Sequence, residues 1–559
     1  MRMLDVGEML RRGIRRRLRA SMRGYSLLKR TGRLALVRQI RTELVDCLFN
    51  EIERSASKNV FGASHSQAEL VTRQYLLQRC ARIGLNKAIL LSLGRKSEPI
   101  VYPLPTAWQE ILIGRGLKVD RMRASLAWAA NVTLYLGYGV LLIAQLAAIS
   151  LWATLRRPPA VRDRYAYFEG LIEGCLPQPG VDGRSHDICT WYAQWDERAT
   201  GLGALCHGVR GARKRTVDGM RVIYIGRPFR PLGGVPAVSR FLGWGLKAMT
   251  IAVLDALRGR WWHAMVLAEA AKAQVVKLCD ADLLAADYLF HYSGTIYRPM
   301  WTYEAERKGS RIICYFYSTS EQAKLPGGYE SQRYEWGAAS WPVYLVWDDY
   351  QADLLRRDID RCATIKVVGP IWFVTSSIEP PAFPQRSIAI FDIQPHRKSA
   401  HFGFSTLSDY VATHPDVQIQ FLQDVHAVLV EFGVTMVLKR KRDIGNKGVK
   451  RYQALVQELA QSGELLPVDA GISAIRVIEK CKGVISMPFT SAALYLREQG
   501  IQSVYFDPTG WIQKDDRGAH GIPILSGVDE LRGWVASIFR ESPEHGRSLL
   551  RNRLRKELT

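Results

Sequence analysis

From residue 158 onward, short β-branched or aromatic runs alternate with stretches of helical period, which restricts the chain to parallel βαβ units. Met220–Ile225 (MRVIYI) stops at Gly226, and Asp287–Tyr292 (DYLFHY) precedes a helix-compatible segment near Met300–Lys308. Arg311–Tyr317 (RIICYFY), Tyr344–Trp347 (YLVW), a helix over Tyr350–Asp360 and Ile365–Val368 (IKVV) follow. Pro380, Pro381 and Pro384 then mark a boundary. Beyond it the pattern restarts. Strands are predicted at Ser387–Phe391, Val434–Leu438, Leu465–Val468, Val484–Ser486 and Ser503–Phe506, and helices at Gln418–Phe432, Lys450–Ser462, Ser473–Lys480 and Ala492–Gln499. Two such halves predict an α/β protein of two Rossmann-like lobes with an interlobe cleft, its binding loops at the carboxyl ends of the strands.

What precedes the lobes is set by charge. The 559 residues are 47% hydrophobic and 23% charged, which argues against wholesale disorder and against a polytopic membrane protein. The net charge of +24 is uneven: residues 1–123 hold 25 Lys/Arg against 10 Asp/Glu, and the first 41 hold 13 against 2. Such an arm suits an anionic surface, lipid or nucleic acid. From Ala124 to Leu155 there is no charge at all for 32 residues, long enough to cross a bilayer core. Arginines flank both ends, so a single crossing would part the basic region from everything that follows. Gly137-Tyr138-Gly139 near the middle predicts a helix–break–helix that dips into one leaflet; a tilted span and a buried hairpin are the alternatives. Arg258-Gly259-Arg260-Trp261-Trp262, after the apolar Phe241–Leu257, fits either a bilayer interface or a half-buried helix end.

The resulting organisation is a basic helical membrane-proximal region (1–123), a hydrophobic re-entrant or transmembrane segment (124–157), a first lobe (158–380), a second lobe (381–540) and a basic tail (541–559). The nine cysteines are odd in number and match neither a zinc site nor a disulfide framework, so they are read as reduced core thiols. No signal peptide is visible at the N-terminus, because arginines interrupt its short apolar stretches.

Three constellations could carry chemistry. In Gly483–Leu494 a short strand ends at Ser486, a proline turn follows, and Thr490 and Ser491 stand at the start of a helix. A helix N-terminus with hydroxyl donors is built for phosphate oxygens, although such residues also serve simply as caps. Lys439-Arg440-Lys441-Arg442 follows a predicted strand, so Lys439 and Lys441 would face the same crevice or form a solvated loop. His396 stands after the first strand of the second half and could hold a phosphate or move a proton. In the first half His291, Glu321 and Asp348-Asp349 lie near strand ends and are candidate bases, with Asp349 read as a helix cap.

The Pro488-Phe489-Thr490-Ser491 tetrapeptide resembles the signature of the polysaccharide biosynthesis PFTS-motif proteins. Leu496–Gly500, Val504–Gly510, Val367–Trp372 and Leu438–Arg442 extend the resemblance, firmly over 340–515 and in outline over 160–515. It implies a GT-B-like, metal-independent glycosyltransferase with no cofactor, whose second lobe takes a nucleotide sugar, CMP- or UDP-linked, and whose first lobe takes the acceptor. By that resemblance Thr490 and Ser491 hold the donor phosphate; Ser486, Lys439, Lys441 and His396 are expected to join them in binding the donor, and His291 or Glu321 to take the acceptor proton. Related transferases of sialic acid, Kdo and glycerophosphate carry a His-Pro pair where this chain reads Arg440-Lys441. The expected partners are a nucleotide-sugar donor, a lipid-linked or polysaccharide acceptor and an anionic membrane at the cytoplasmic face, with no nucleic acid. The alternatives are a CDP-polyol phosphotransferase of similar fold and a non-enzymatic basic protein that binds membrane or nucleic acid.

Overall fold

The computed structural model describes residues 99–539, apart from 157–163, 172–174, 177–187, 196–200, 211–214, 218, 292–297, 317–338, 360–361, 372–377, 394, 396–414, 441–447, 499 and 511, and parts of 36–50. The chain divides into two compact units, the first comprising 1–173, 193–316 and 331–368, the second 174–192, 317–330 and 369–559.

Among the described residues the first unit is built on eight strands: β1 (Tyr165–Glu169), β2 (Ala204–His207), β3 (Arg215–Val217), β4 (Met220–Tyr224), β5 (Asp287–His291), β6 (Arg311–Tyr315), β7 (Val343–Val346) and β8 (Thr364–Val367). Their order is β3-β4-β2-β1-β5-β6-β7-β8, parallel throughout except for the antiparallel edge pair β3/β4. The central strands β1, β5 and β6 are buried almost without interruption, as expected of strands covered on both faces. Arg311 forks onto Asp287 across β5 and β6, pairing a carboxylate that is 1% exposed. The helix Asp349–Asp358 is capped by Asp348, whose carboxylate accepts the Gln351 N–H at 2.8 Å. The cap is therefore one residue earlier than expected: Asp349 is the first helical residue.

Three helices of this unit pack on one another: α1 (Arg121–Arg156), α2 (Val235–Leu257) and α3 (Trp262–Leu278). The 36 residues of α1 run unbroken, about 54 Å at the usual rise, so the expected break at Gly137–Gly139 is not formed. Gly139 serves contact instead. A Cβ there would lie 2.9 Å from the Leu267 side chain of α3, and one on Gly245 of α2 would lie 2.9 Å from Ile143 Cγ2 of α1. Trp261 and Trp262 are 6% and 5% exposed within an apolar cluster that holds Trp108, Leu112 and Tyr135. They are core residues, not a bilayer belt. Of the cysteines, Cys206, Cys279 and Cys314 are buried as expected of core thiols, but Cys362 is exposed.

Among its described residues the second unit has six strands: β9 (Ser387–Phe391), β10 (Thr435–Lys439), β11 (Leu465–Val468), β12 (Val484–Ser486), β13 (Ser503–Asp507) and β14 (Ile524–Ser526). All neighbours are parallel in the order β11-β10-β9-β12-β13-β14. That is the doubly wound order 3-2-1-4-5-6, with its reversal between β9 and β12. Helix α4 (Pro415–Glu431), amphipathic α5 (Lys450–Gln461) and α6 (Val528–Ile538) bury Leu422, Val425, Val456 and Leu531 against Met436, Leu438 and Val504 of the sheet. The short helix α7 (Ser491–Glu498) follows β12 directly.

Candidate functional site

In an open parallel sheet, ligands bind beyond the carboxyl ends of the two strands between which the order reverses. In the second unit those ends are Phe391-Asp392 after β9 and Met487–Ser491 after β12. The two are tied together, because Met487 donates its N–H to the Phe391 carbonyl at 2.9 Å.

The turn after β12 is tightly specified. Thr490 donates both its N–H (3.3 Å) and its hydroxyl (2.8 Å) to the Met487 carbonyl. Pro488 fixes the second position of this four-residue turn, and Phe489 at the third has φ 62°, the pattern of a type II turn that normally takes glycine. Left-handed backbone costs a bulky residue about 1–2 kcal/mol. Phe489 is held there because its ring is buried, 5.9 Å from the Tyr505 ring, while the Tyr505 hydroxyl donates to the Thr490 carbonyl at 3.2 Å. Strain kept in place by its surroundings is a mark of functional turns.

The consequence lies one residue on. Thr490 occupies the position before α7, but its hydroxyl turns back to Met487 and does not cap the helix. Among the described residues, the Ser491 and Ala492 N–H groups have no hydrogen-bond partner, and neither has the half-buried Ser491 hydroxyl. A helix start with free N–H groups, its macrodipole and a hydroxyl is an anion-binding arrangement. Ser486 behind the turn is fully buried, with its Oγ unpartnered among the described residues.

Across the reversal stands Asp392, 4% exposed and passed over in the sequence in favour of its neighbours. One carboxylate oxygen accepts the Tyr452 hydroxyl of α5; the other has no partner among the described residues. Burial pushes its pKa up to about 6, against the pull of the Tyr452 hydrogen bond and the Arg440 charge. Lys439, the last residue of β10, is 5% exposed, and its ammonium donates to the Arg440 carbonyl at 2.5 Å and the Ala470 carbonyl at 3.2 Å. Burial lowers its pKa to about 8, with the Asp469 charge opposing. The structure thus gathers Ser486, Thr490 and Ser491 in one turn beside Asp392, and puts Lys439 one strand away with two of its three protons engaged. Lys441 and His396 lie outside the described residues.

The first unit has its own reversal, between β1 and β5. Glu169 ends β1 and His291 ends β5. The His291 Nε2 lies 3.2 Å from the Gly170 carbonyl, which makes Nε2–H the donor and leaves Nδ1 as the basic atom. Burial lowers the His291 pKa from its ordinary value, opposed by the Gly170 hydrogen bond, and so favours the neutral ring. Gly170 has φ 72°, and a Cβ there would lie 2.7 Å from His291 Nε2. Burial raises the Glu169 pKa, opposed by a Tyr167 hydrogen bond and the Lys272 charge, and its Oε2 has no partner among the described residues. Glu169 was missed in the sequence, although YAYFEG is an aromatic run closed by Glu-Gly. Glu321 lies outside the described residues.

Several solved structures overlap the chain weakly. Os79 from O. sativa in complex with UDP is 11% identical, with TM-score 0.33 over 69% of this chain and 93% of that one. The glycosyltransferase SnogD from Streptomyces nogalater is 14% identical, with TM-score 0.30 over 69% and 98%. The wall teichoic acid polymerase TagF is 8% identical, with TM-score 0.34 over 77% and 99%. Overlaps of this size carry no weight for the chemistry, and no curated protein matches the chain in sequence. The model of one family does match, over residues 244–535, which covers the doubly wound sheet and the strained turn after β12. The chain belongs to the polysaccharide biosynthesis PFTS motif proteins.

Proposed function

We propose that this chain is a GT-B glycosyltransferase that passes a sugar from a nucleotide-sugar donor, CMP- or UDP-linked, to a growing surface polysaccharide at the cytoplasmic membrane face. One observation carries the reading: the family's signature turn stands at the strand-order reversal of the second unit, with the Ser491 and Ala492 N–H groups unpartnered among the described residues. Those groups and the Ser491 hydroxyl would hold the donor's phosphate oxygens and stabilise the charge that grows on them as the glycosidic bond breaks. Thr490 acts indirectly, locking the turn through Met487. Lys439 supplies positive charge from the end of β10; burial lowers its pKa to about 8, and a phosphate brought near it would favour its charged form. In the first unit His291, its ring oriented by the Gly170 carbonyl, would take the acceptor hydroxyl's proton.

The test is calorimetric titration of the full chain with UDP, CMP and CDP, repeated on Ser491→Ala. One nucleotide is expected to bind, with Ser491→Ala weakening it about tenfold, the loss of one charge-assisted hydrogen bond. Binding of none of them, or binding indifferent to Ser491, contradicts the reading. Hydrolysis of the matching activated donor then separates sugar transfer from transfer of a polyol phosphate.

A further inference from the structure

The side of α1 that faces away from the protein is apolar from end to end. Between Arg123 and Arg156 it presents Leu126, Leu134, Leu141, Leu151 and Leu155, interspersed with small residues, Thr133 and Gln145. Leu141 is 67% exposed and Leu155 76%. The outer face of α2 continues the pattern with Leu242, Leu246 and Leu257 beside Arg240 and Lys247. Of the seventeen exposed large apolar side chains among the described residues, eight lie on α1 and six on α2. A helix that faces water carries charge on such a stripe.

Apart from Glu110 and Asp120, which pair with Arg121 and Arg123 at the start of α1, the charges that border this surface have one sign. Helix α1 contains no acid, and the single acid of α2, Asp255, is buried against His263 at 2.6 Å. Arg121, Arg123, Arg156, Arg240 and Lys247 surround the apolar stripes. An apolar strip on two helices that expose no acid of their own, edged by the cations Arg156, Arg240 and Lys247, complements an anionic lipid surface.

The opposite side of α1 shows how it can meet that surface. Its buried stripe runs from Ala124 through Tyr135 and Ile143 to Ala153. Gly139 is pressed on Leu267 of α3, a helix that also buries His263 and Glu269. Near the C-terminal end, Ser150 Oγ and Thr154 Oγ1 accept the N–H groups of Leu232 and Gly234 at 3.1 and 3.0 Å, tying the last turns to the segment before α2. A helix sheathed along one side by a globular unit for its whole length cannot be ringed by lipid. We propose that α1 and α2 lie together in the plane of an anionic bilayer surface, with their apolar stripes among the acyl chains and their cations at the headgroups. Docking of this kind is neither a crossing nor a re-entrant loop, and it does not depend on the sugar-transfer reading.

Flotation of the full chain with phosphatidylcholine vesicles, with and without about 30 mol % phosphatidylglycerol, tests it. Binding is expected to the anionic vesicles, and Leu141→Glu with Leu246→Glu is expected to lower partition about tenfold or more while the monomer mass and thermal unfolding stay as in the parent. Equal binding to neutral vesicles, or a double variant that floats like the parent on its basic arm alone, overturns the proposal. So does a double variant that merely splits a dimer and still floats. Should that variant fail to fold, Arg123→Cys and Arg156→Cys on protein bound to preformed sealed vesicles decide the matter. In-plane docking leaves both open to an impermeant maleimide added outside; protection of either until detergent is added overturns it.

Discussion

Asp392 is the residue whose environment most clearly departs from what its type prefers. Its pKa of about 6 lies above the ordinary 3.8, so the folded state binds the extra proton, and stability falls as pH rises from about 4 through about 6. Ionising this carboxyl in the fold therefore costs about 3 kcal/mol more than in water. Asp392→Asn keeps an acceptor for the Tyr452 hydroxyl and removes that cost. Denaturant unfolding is expected to show the variant more stable than the parent by up to about 3 kcal/mol at pH 8 and level with it near pH 4. A gain of the same size at both pH values would refute this account of the site. In the first unit, Gly170→Ala forces a left-handed alanine against His291 Nε2. A loss of about 1–2 kcal/mol of stability is expected, with a fall in turnover as the ring is displaced. The parent's kcat/KM should rise with pH to a midpoint below 6.5, because burial holds His291 neutral, and His291→Gln should abolish that limb. Of these residues only His291 was legible in sequence, as a titratable group at a strand end. Asp392 and Glu169 owe their positions to strand order and their pKa shifts to burial, and a linear pattern encodes neither directly.

Among the elements, strands were the most readable. Ser387–Phe391, Leu465–Val468 and Val484–Ser486 form as predicted, because buried parallel strands demand short continuous apolar runs. Glycine was misread. Gly137-Tyr138-Gly139 carries the composition of a break, yet the helix continues, because Gly139 is needed for the close approach of α3. Gly139→Val is therefore expected to destabilise by about 1–3 kcal/mol through overpacking against Leu267, where a mere helix-breaking glycine would gain from the change. Chemical denaturation reads the sign directly. Trp261 and Trp262 were open to two readings for a related reason: aromatic residues beside arginine look alike at a bilayer and at a core edge, and burial alone separates them.

For the whole molecule, composition located the basic N-terminal region and the charge-free stretch, and the tetrapeptide located the family. What composition could not supply was the sheet order that sets Met487–Ser491 opposite Asp392, since strand adjacency arises from crossovers and not from spacing. Sugar transfer by this chain therefore depends on the start of α7 as an anion site. The most direct measurement is a crystal structure of the full chain with whichever nucleotide calorimetry selects. Phosphate oxygens within hydrogen-bond distance of the Ser491 and Ala492 nitrogens are the predicted result. A nucleotide bound elsewhere, with those two nitrogens still unoccupied, would contradict it.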